Sequence, residues 1–127
     1  VASPALAATL RLAGPEDLLA APLLHEEHHE QWRAWLAGNG VVSQTPGGPL
    51  LWHAHLALAA ARQGRGLALA SHYLVAHDLA SGALVELAVP GTRPVVIGSY
   101  WFVARADRWS SPAIAGLRTF LRQRAGA

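Results

Sequence analysis

At 127 residues the chain is long enough for one domain with its own hydrophobic core. Apolar residues make up 52% and charged ones 14%, which excludes a disordered tail or a coiled coil, and no apolar run approaches the roughly 20 residues of a membrane span. Net charge is +2 and there is no cysteine, which removes disulfides, thiolate metal sites and cysteine nucleophiles and fits a cytoplasmic protein.

Ser3-Pro4 reads as an N-cap and first helical residue, opening a short helix over Pro4–Thr9. The opening VASPALAATL has no basic segment before an apolar stretch, so no signal peptide is expected. Gly14-Pro15-Glu16-Asp17 starts a second helical turn through about Ala20. Leu23-Leu24-His25 is a short apolar run suited to a strand. Glu30–Ala37 carries Trp32, Trp35 and Leu36 at helical spacing, which predicts an amphipathic helix with both tryptophans in the core, stopped by Gly38-Asn39-Gly40. Val41–Pro49 is loop-like in its glycine, proline, serine and threonine content.

A strand over Leu50–Trp52 and a helix over His55–Gln63 follow, the latter closed by Gly64. Gly66–Ala70 is a small-residue buried strand, and Ser71 caps a helix through about Leu79 that Ser81-Gly82 ends. Strands are expected at Leu84–Leu87 and Val95–Ala104, the second rich in valine, isoleucine and aromatics. Tyr100 and Trp101 alternate across it, with Trp101 expected in the core. Ser111-Pro112 opens the last helix, with Ile114, Leu117, Phe120 and Leu121 on one face. Alternating strands and helices predict an α/β architecture.

Two features invite a specific chemistry. His25-Glu26-Glu27-His28-His29 satisfies the letters H-E-x-x-H of zinc proteases, with His25 and His29 as ligands and Glu26 as base. A zinc site needs both histidines on one helix, but Pro22 and the strand-like Leu23–His25 place a loop-to-helix break inside the motif. The break predicts histidines pointing in different directions, and no downstream histidine stands at a recognisable third-ligand spacing. A zinc-dependent hydrolase is therefore a remote alternative, and no metal site is expected. The second feature is the basic balance (pI about 9.9), which suggests nucleic acid. The basic residues are ten dispersed arginines, and the closest group, Arg118, Arg122 and Arg124, reads as a solvated helix face. Ser71, His72 and Asp78 supply triad letters without a G-x-S-x-G elbow, so the chain is not expected to be an enzyme. Gly64 and Gly66 are too short a pattern for a dinucleotide site, and Asp78 is assigned to a helix end.

Five segments in register resemble one family. Gly64-Arg65-Gly66-Leu67-Ala68-Leu69 followed by Leu74-Val75-Ala76-His77-Asp78-Leu79-Ala80-Ser81-Gly82-Ala83-Leu84-Val85 is similar to the G-x-G-[VI]-A-L and LV-x-x-DL-x-x-G-x-LV stretches of LysR-type transcriptional regulators. Val1-Ala2-Ser3-Pro4, Pro22-Leu23-Leu24-His25 leading to Trp32-Arg33-Ala34-Trp35, Gly98-Ser99-Tyr100-Trp101, and Ser111-Pro112 through Leu121 fall in the family's order. The W-x-x-W and G-S-Y-W details look most like the branch of glycine-cleavage activators and β-lactamase-inducing regulators.

The resemblance implies a periplasmic-binding-protein-like (type 2) fold. Residues 1–104 would be effector-binding subdomain II with its crossover strand, and 105–127 the helix returning to an absent subdomain I. The family's winged helix-turn-helix is absent from this chain. It further implies a small-molecule effector held in the cleft between subdomains, no cofactor, and DNA contact only through the missing N-terminal part. On this half of the cleft the matching positions are His53, Ala54 and His55 in the turn after Trp52, and Tyr100. The family usually carries Asp, Ser or Thr at that turn, so effector identity is not inherited. His53 and His55 read either as effector contacts or as a solvent-facing first turn. The same resemblance makes Leu24–Trp32 a variable surface connection, and it predicts self-association through Ile114, Leu117, Phe120 and Leu121. The alternative of a different class is a periplasmic solute-binding component of a transporter, which shares the two-lobed fold.

Overall fold

The computed structural model describes residues 1–42 and 46–125; positions 43–45, within the expected Val41–Pro49 loop, and 126–127 lie outside the described residues. Two compact units divide the chain, Val1–Ile97 and Gly98–Ala127.

In the first unit, α1 (Pro4–Thr9) is capped as its sequence predicts, with the Ser3 hydroxyl accepting from the Leu6 amide at 3.2 Å. A 3-10 turn covers Pro15–Ala20, where the Asp17 carboxylate accepts from the Ala13 and Gly14 amides. Two short parallel strands, β1 (Leu23–Leu24) and β2 (Leu67–Ala68), pair Leu23 with Leu67 and Leu24 with Ala68. Pairing extends on both sides. His25 bridges Leu50 in parallel, Val1 exchanges backbone hydrogen bonds with Ala68, and Ala2 bridges Val85 antiparallel.

Successive strand residues serve opposite faces. Leu23 and Leu67 enter a cluster with Leu18, Trp32 and Leu36, while Leu24 and Ala68 enter a second one with Ala57, Leu58 and Val75. The sheet is thus buried on both sides. Helix α2 (Glu30–Gly38) packs on one face, and α3 (Ala54–Arg62) with α4 (His72–Ser81) on the other, the layering of an α/β fold. The expected pair of core tryptophans separates in depth. Trp32 is 4% exposed and donates its Nε1–H to the Leu24 carbonyl at 2.9 Å, whereas Trp35 is half-buried.

Gly64 ends the α3 turn at φ 73°, and Gly66 permits the close approach of β2 to β1. A Cβ at Gly66 would clash with the Pro22 carbonyl oxygen. Asp78 has a larger role than ending a helix. It is 6% exposed, and both its carboxylate oxygens accept from Arg62 of α3, at 2.7 and 2.8 Å, fastening α4 to α3. Those hydrogen bonds, followed in weight by burial acting the other way, hold the Asp78 carboxyl below the usual range.

The expected strands are shorter than their composition suggests. Only Leu50 pairs within Leu50–Trp52, and only Val85 within Leu84–Leu87. No bridge forms along 95–104, and Val96, Tyr100, Trp101 and Val103 are all exposed. Trp101, expected in the core, is 84% exposed. β-propensity is an ability to pack on a pleated, half-buried surface, and without a ladder partner it does not make a strand.

In the second unit a 3-10 turn (Ala106–Arg108) precedes α5 (Pro112–Ala125), which begins where Ser111-Pro112 predicts. Trp109 sits 6.1 Å from the Phe102 ring and under the Arg118 guanidinium at 4.7 Å. On α5, Leu117, Phe120 and Leu121 are exposed and Ile114 is half-buried.

Candidate functional site

The turn into α3 is built on the end of β1. The Leu51 amide donates to the His25 carbonyl at 2.9 Å, and the Trp52 amide to the Glu26 carbonyl at 3.0 Å. Trp52 then takes φ 65°, the one non-glycine residue in the left-handed region among the described residues. An aromatic side chain is costly there, at roughly 1–2 kcal/mol, so the conformation is imposed by the hydrogen bonds on either side. His53 returns to extended backbone as the N-cap of α3, its carbonyl accepting from the Leu56 and Ala57 amides. Trp52, His53 and His55 are exposed, Ala54 is partly covered, and the two imidazoles stack at 5.4 Å with 13° between their planes. The arrangement presents two stacked donors, an exposed indole and the first-turn amides of a nine-residue helix, chemistry suited to a carboxylate or phosphate. Tyr100 is likewise exposed, in the second unit.

The structure corrects the reading of the histidine-rich stretch. His25 is no surface loop residue. It is 2% exposed, because its backbone pairs with Pro49–Leu51 and its Nε2–H donates to the Gly47 carbonyl at 3.0 Å. The break before α2 does not send His25 and His29 apart either. Their rings meet edge-on at 4.1 Å and 72°. A zinc set still does not assemble: the His25 Nε2 is engaged by Gly47, Glu26 accepts from Gln31 at 3.2 Å, and no group of three metal-ligating side chains stands together among the described residues. Burial, ahead of the Gly47 hydrogen bond that opposes it and the nearby His29 that adds to it, pushes the His25 imidazole below its ordinary value.

A separate open cavity of about 160 Å³ lies within the first unit, lined by Trp32, Trp35, Leu69, Val75, Leu87 and Val89 and by the exposed His72–Glu86 pair, 3.1 Å apart. Its volume is close to that of a cavity that takes a benzene ring. Sequence reading missed it because its wall is drawn from distant segments. The His25–His29 contact could have been suspected from i, i+4 spacing had the break not argued against a continuous helix. No described helix is long and apolar enough to cross a membrane.

The family model of the LysR substrate binding domain matches residues 1–126. The chain is 33% identical over 117 residues to the HTH-type transcriptional activator AmpR of Pseudomonas aeruginosa, covering 91% of this chain and 38% of that protein. It is 35% identical over 112 residues to the HTH-type transcriptional regulator PerR of Escherichia coli, covering 87% and 38% respectively. The crystal structure of the effector domain of the Pseudomonas AmpR matches with a TM-score of 0.74 at 31% identity, over 98% of this chain and 59% of that one. The chain thus spans about two fifths of the length of these full-length relatives.

Proposed function

The chain belongs to the LysR substrate-binding-domain family, and from that premise we propose that it is the effector-sensing part of a DNA-binding transcriptional regulator. Residues 1–104 serve as effector-binding subdomain II, with 105–127 returning toward a subdomain I. A winged helix-turn-helix elsewhere in the whole protein contacts the DNA, in the cytoplasm. The effector, a small anion-bearing molecule, docks on the turn of His53, Ala54 and His55; Tyr100, in the second unit, is a separate candidate contact. The effector's binding energy favours one of two pre-existing arrangements of the regulator. Copies associate through the α5 face of Ile114, Leu117, Phe120 and Leu121.

The observation that carries this reading is the Trp52–His55 turn. A costly left-handed Trp52 and two stacked, exposed histidines stand at the start of a helix that follows a strand end, where open α/β sheets bind ligands. The relatives named above are transcriptional regulators, which favours the sensor over a solute-binding component.

The test is a reporter under the full-length regulator carrying His53→Ala and His55→Ala together. Two lost charge-assisted contacts at about 1 kcal/mol each raise the inducer concentration for half response by more than about 10-fold. Basal operator occupancy should stay within about twofold, since no DNA contact is touched. An inducer response equal to the parent's overturns the assignment of the turn.

A further inference from the structure

We propose that His25 and His29 form a proton-operated latch on the turn assigned above to the effector, closed at neutral pH and released on acidification. The proposal rests on that assignment only for its consequence; the latch itself stands on geometry. His25 is almost wholly buried and gives its Nε2–H to the Gly47 carbonyl. A neutral imidazole carries one ring proton, so the His25 Nδ1 is left as a bare lone pair. That atom is buried without a partner, and so is the Nδ1 of His29, whose ring lies against His25. Two orphaned nitrogens in adjoining rings call for an explanation, since buried polar atoms are almost always paired.

A second proton on His25 has one place to go, its Nδ1, where no described group accepts it. The surroundings give the charge no counter-ion. β2 brings Leu67 and Ala68 alongside, and residues 47–51 are glycine, proline and leucine. The approach to α2 brings His29, itself an imidazole, and Glu26, whose carboxylate is turned to Gln31; Glu27, His28 and Glu30 are exposed, and no carboxylate is among the groups that act on the His25 ring. On α3 the titratable first-turn groups, His53 and His55, are exposed and stacked on one another, and Arg62 is committed to Asp78. A protonated His25 therefore has to leave its pocket.

Its leaving frees the turn. His25 alone holds Gly47 by its ring, Pro49 by its amide at 3.0 Å and Leu51 by its carbonyl at 2.9 Å, and the next residue holds the Trp52 amide. The approach to His53 thus hangs from His25 and its neighbour Glu26. The direction follows from linkage. Burial holds the folded imidazole below its unfolded value, so the stabilisation is complete above the ordinary imidazole range and is lost as pH falls below it, through the folded value.

The experiment is a pH titration of the effector-free 127-residue chain by NMR, following the His25 ring nitrogens together with the amides of Leu51, Trp52 and His53. At neutral pH the His25 ring should show the Nε2–H tautomer. On acidification the three amides should move with the His25 midpoint, which lies below the ordinary imidazole range. In His29→Gln a side-chain carbonyl can accept from the protonated His25 Nδ1, so the ring midpoint should rise while the three amides move less than in the parent chain. His29 makes no side-chain cap hydrogen bond to α2, so the variant keeps the fold. His28→Gln, at the exposed neighbour, should move neither. Amides that stay flat while His25 titrates in the parent chain, or a transition indifferent to His29→Gln, would overturn the latch. No effector is present, so a failed latch leaves the effector assignment standing, and a failed reporter test leaves the latch standing.

Discussion

Replacing Trp32 with phenylalanine separates the two tryptophans that sequence alone treats alike. Trp32 is 4% exposed and its Nε1–H donates to the Leu24 carbonyl, one residue before His25. Phenylalanine keeps the apolar character, loses the donor and leaves part of the indole volume empty. The lost hydrogen bond costs about 1 kcal/mol. Removing roughly 40 Å² of buried apolar surface costs about 1 kcal/mol more at 25 cal/mol per Å². A partly collapsed void adds up to about 1 kcal/mol. The sum is about 2–3 kcal/mol, read as a lower urea midpoint with an unchanged slope. Trp35→Phe is the control: Trp35 is half-buried, so about 1 kcal/mol or less is expected. Equal losses in the two variants would refute the reasoning, because the hydrogen bond and the depth of burial would then carry no weight.

Two further outcomes concern α5 and the Arg62–Asp78 pair. Leu117→Ser with Phe120→Ser should abolish self-association of the chain in sedimentation at about 100 μM, since each apolar side chain contributes up to about 1.5–3 kcal/mol when a partner covers it; a parent chain that is monomeric there removes the α5 interface. Asp78→Asn should lower the melting temperature at neutral pH and flatten the acid limb. The depressed folded carboxyl supplies stability above the ordinary carboxylate range, and that stability is lost as pH falls through the folded value; an acid limb as steep as the parent's would show that Arg62 does not act through this carboxylate.

Local signals carried most of the helices. Ser3-Pro4 and Ser111-Pro112 mark helix starts by backbone chemistry confined to a few residues, and Gly64 marks an end in the same way. Buried strands were legible where the neighbours were present, as at Leu23–Leu24 and Leu67–Ala68. Val95–Ala104 has the composition of a strand, but pairing is a property of two segments and the composition names only one. The candidate turn was located by its place in a family pattern, while its strain was not legible, since nothing in an aromatic residue announces a positive φ. The Arg62–Asp78 pair and the His25–Gly47 hydrogen bond join residues that lie 16 and 22 positions apart, beyond the reach of any local spacing rule. The H-E-x-x-H letters did place two rings together, though as a packed pair held by the sheet and not as ligands on one helix.

The left-handed backbone at Trp52 also bears on which substitutions the proposed binding turn tolerates. Asparagine, aspartate and glycine are at home in that conformation, whereas an indole is not. Most single substitutions in a well-formed site trade stability for novelty. Here a short polar side chain would relieve strain as it altered the lip of the proposed binding turn. Trp52→Asn therefore changes the lip of the proposed turn without the stability loss that a substitution at a well-packed site carries.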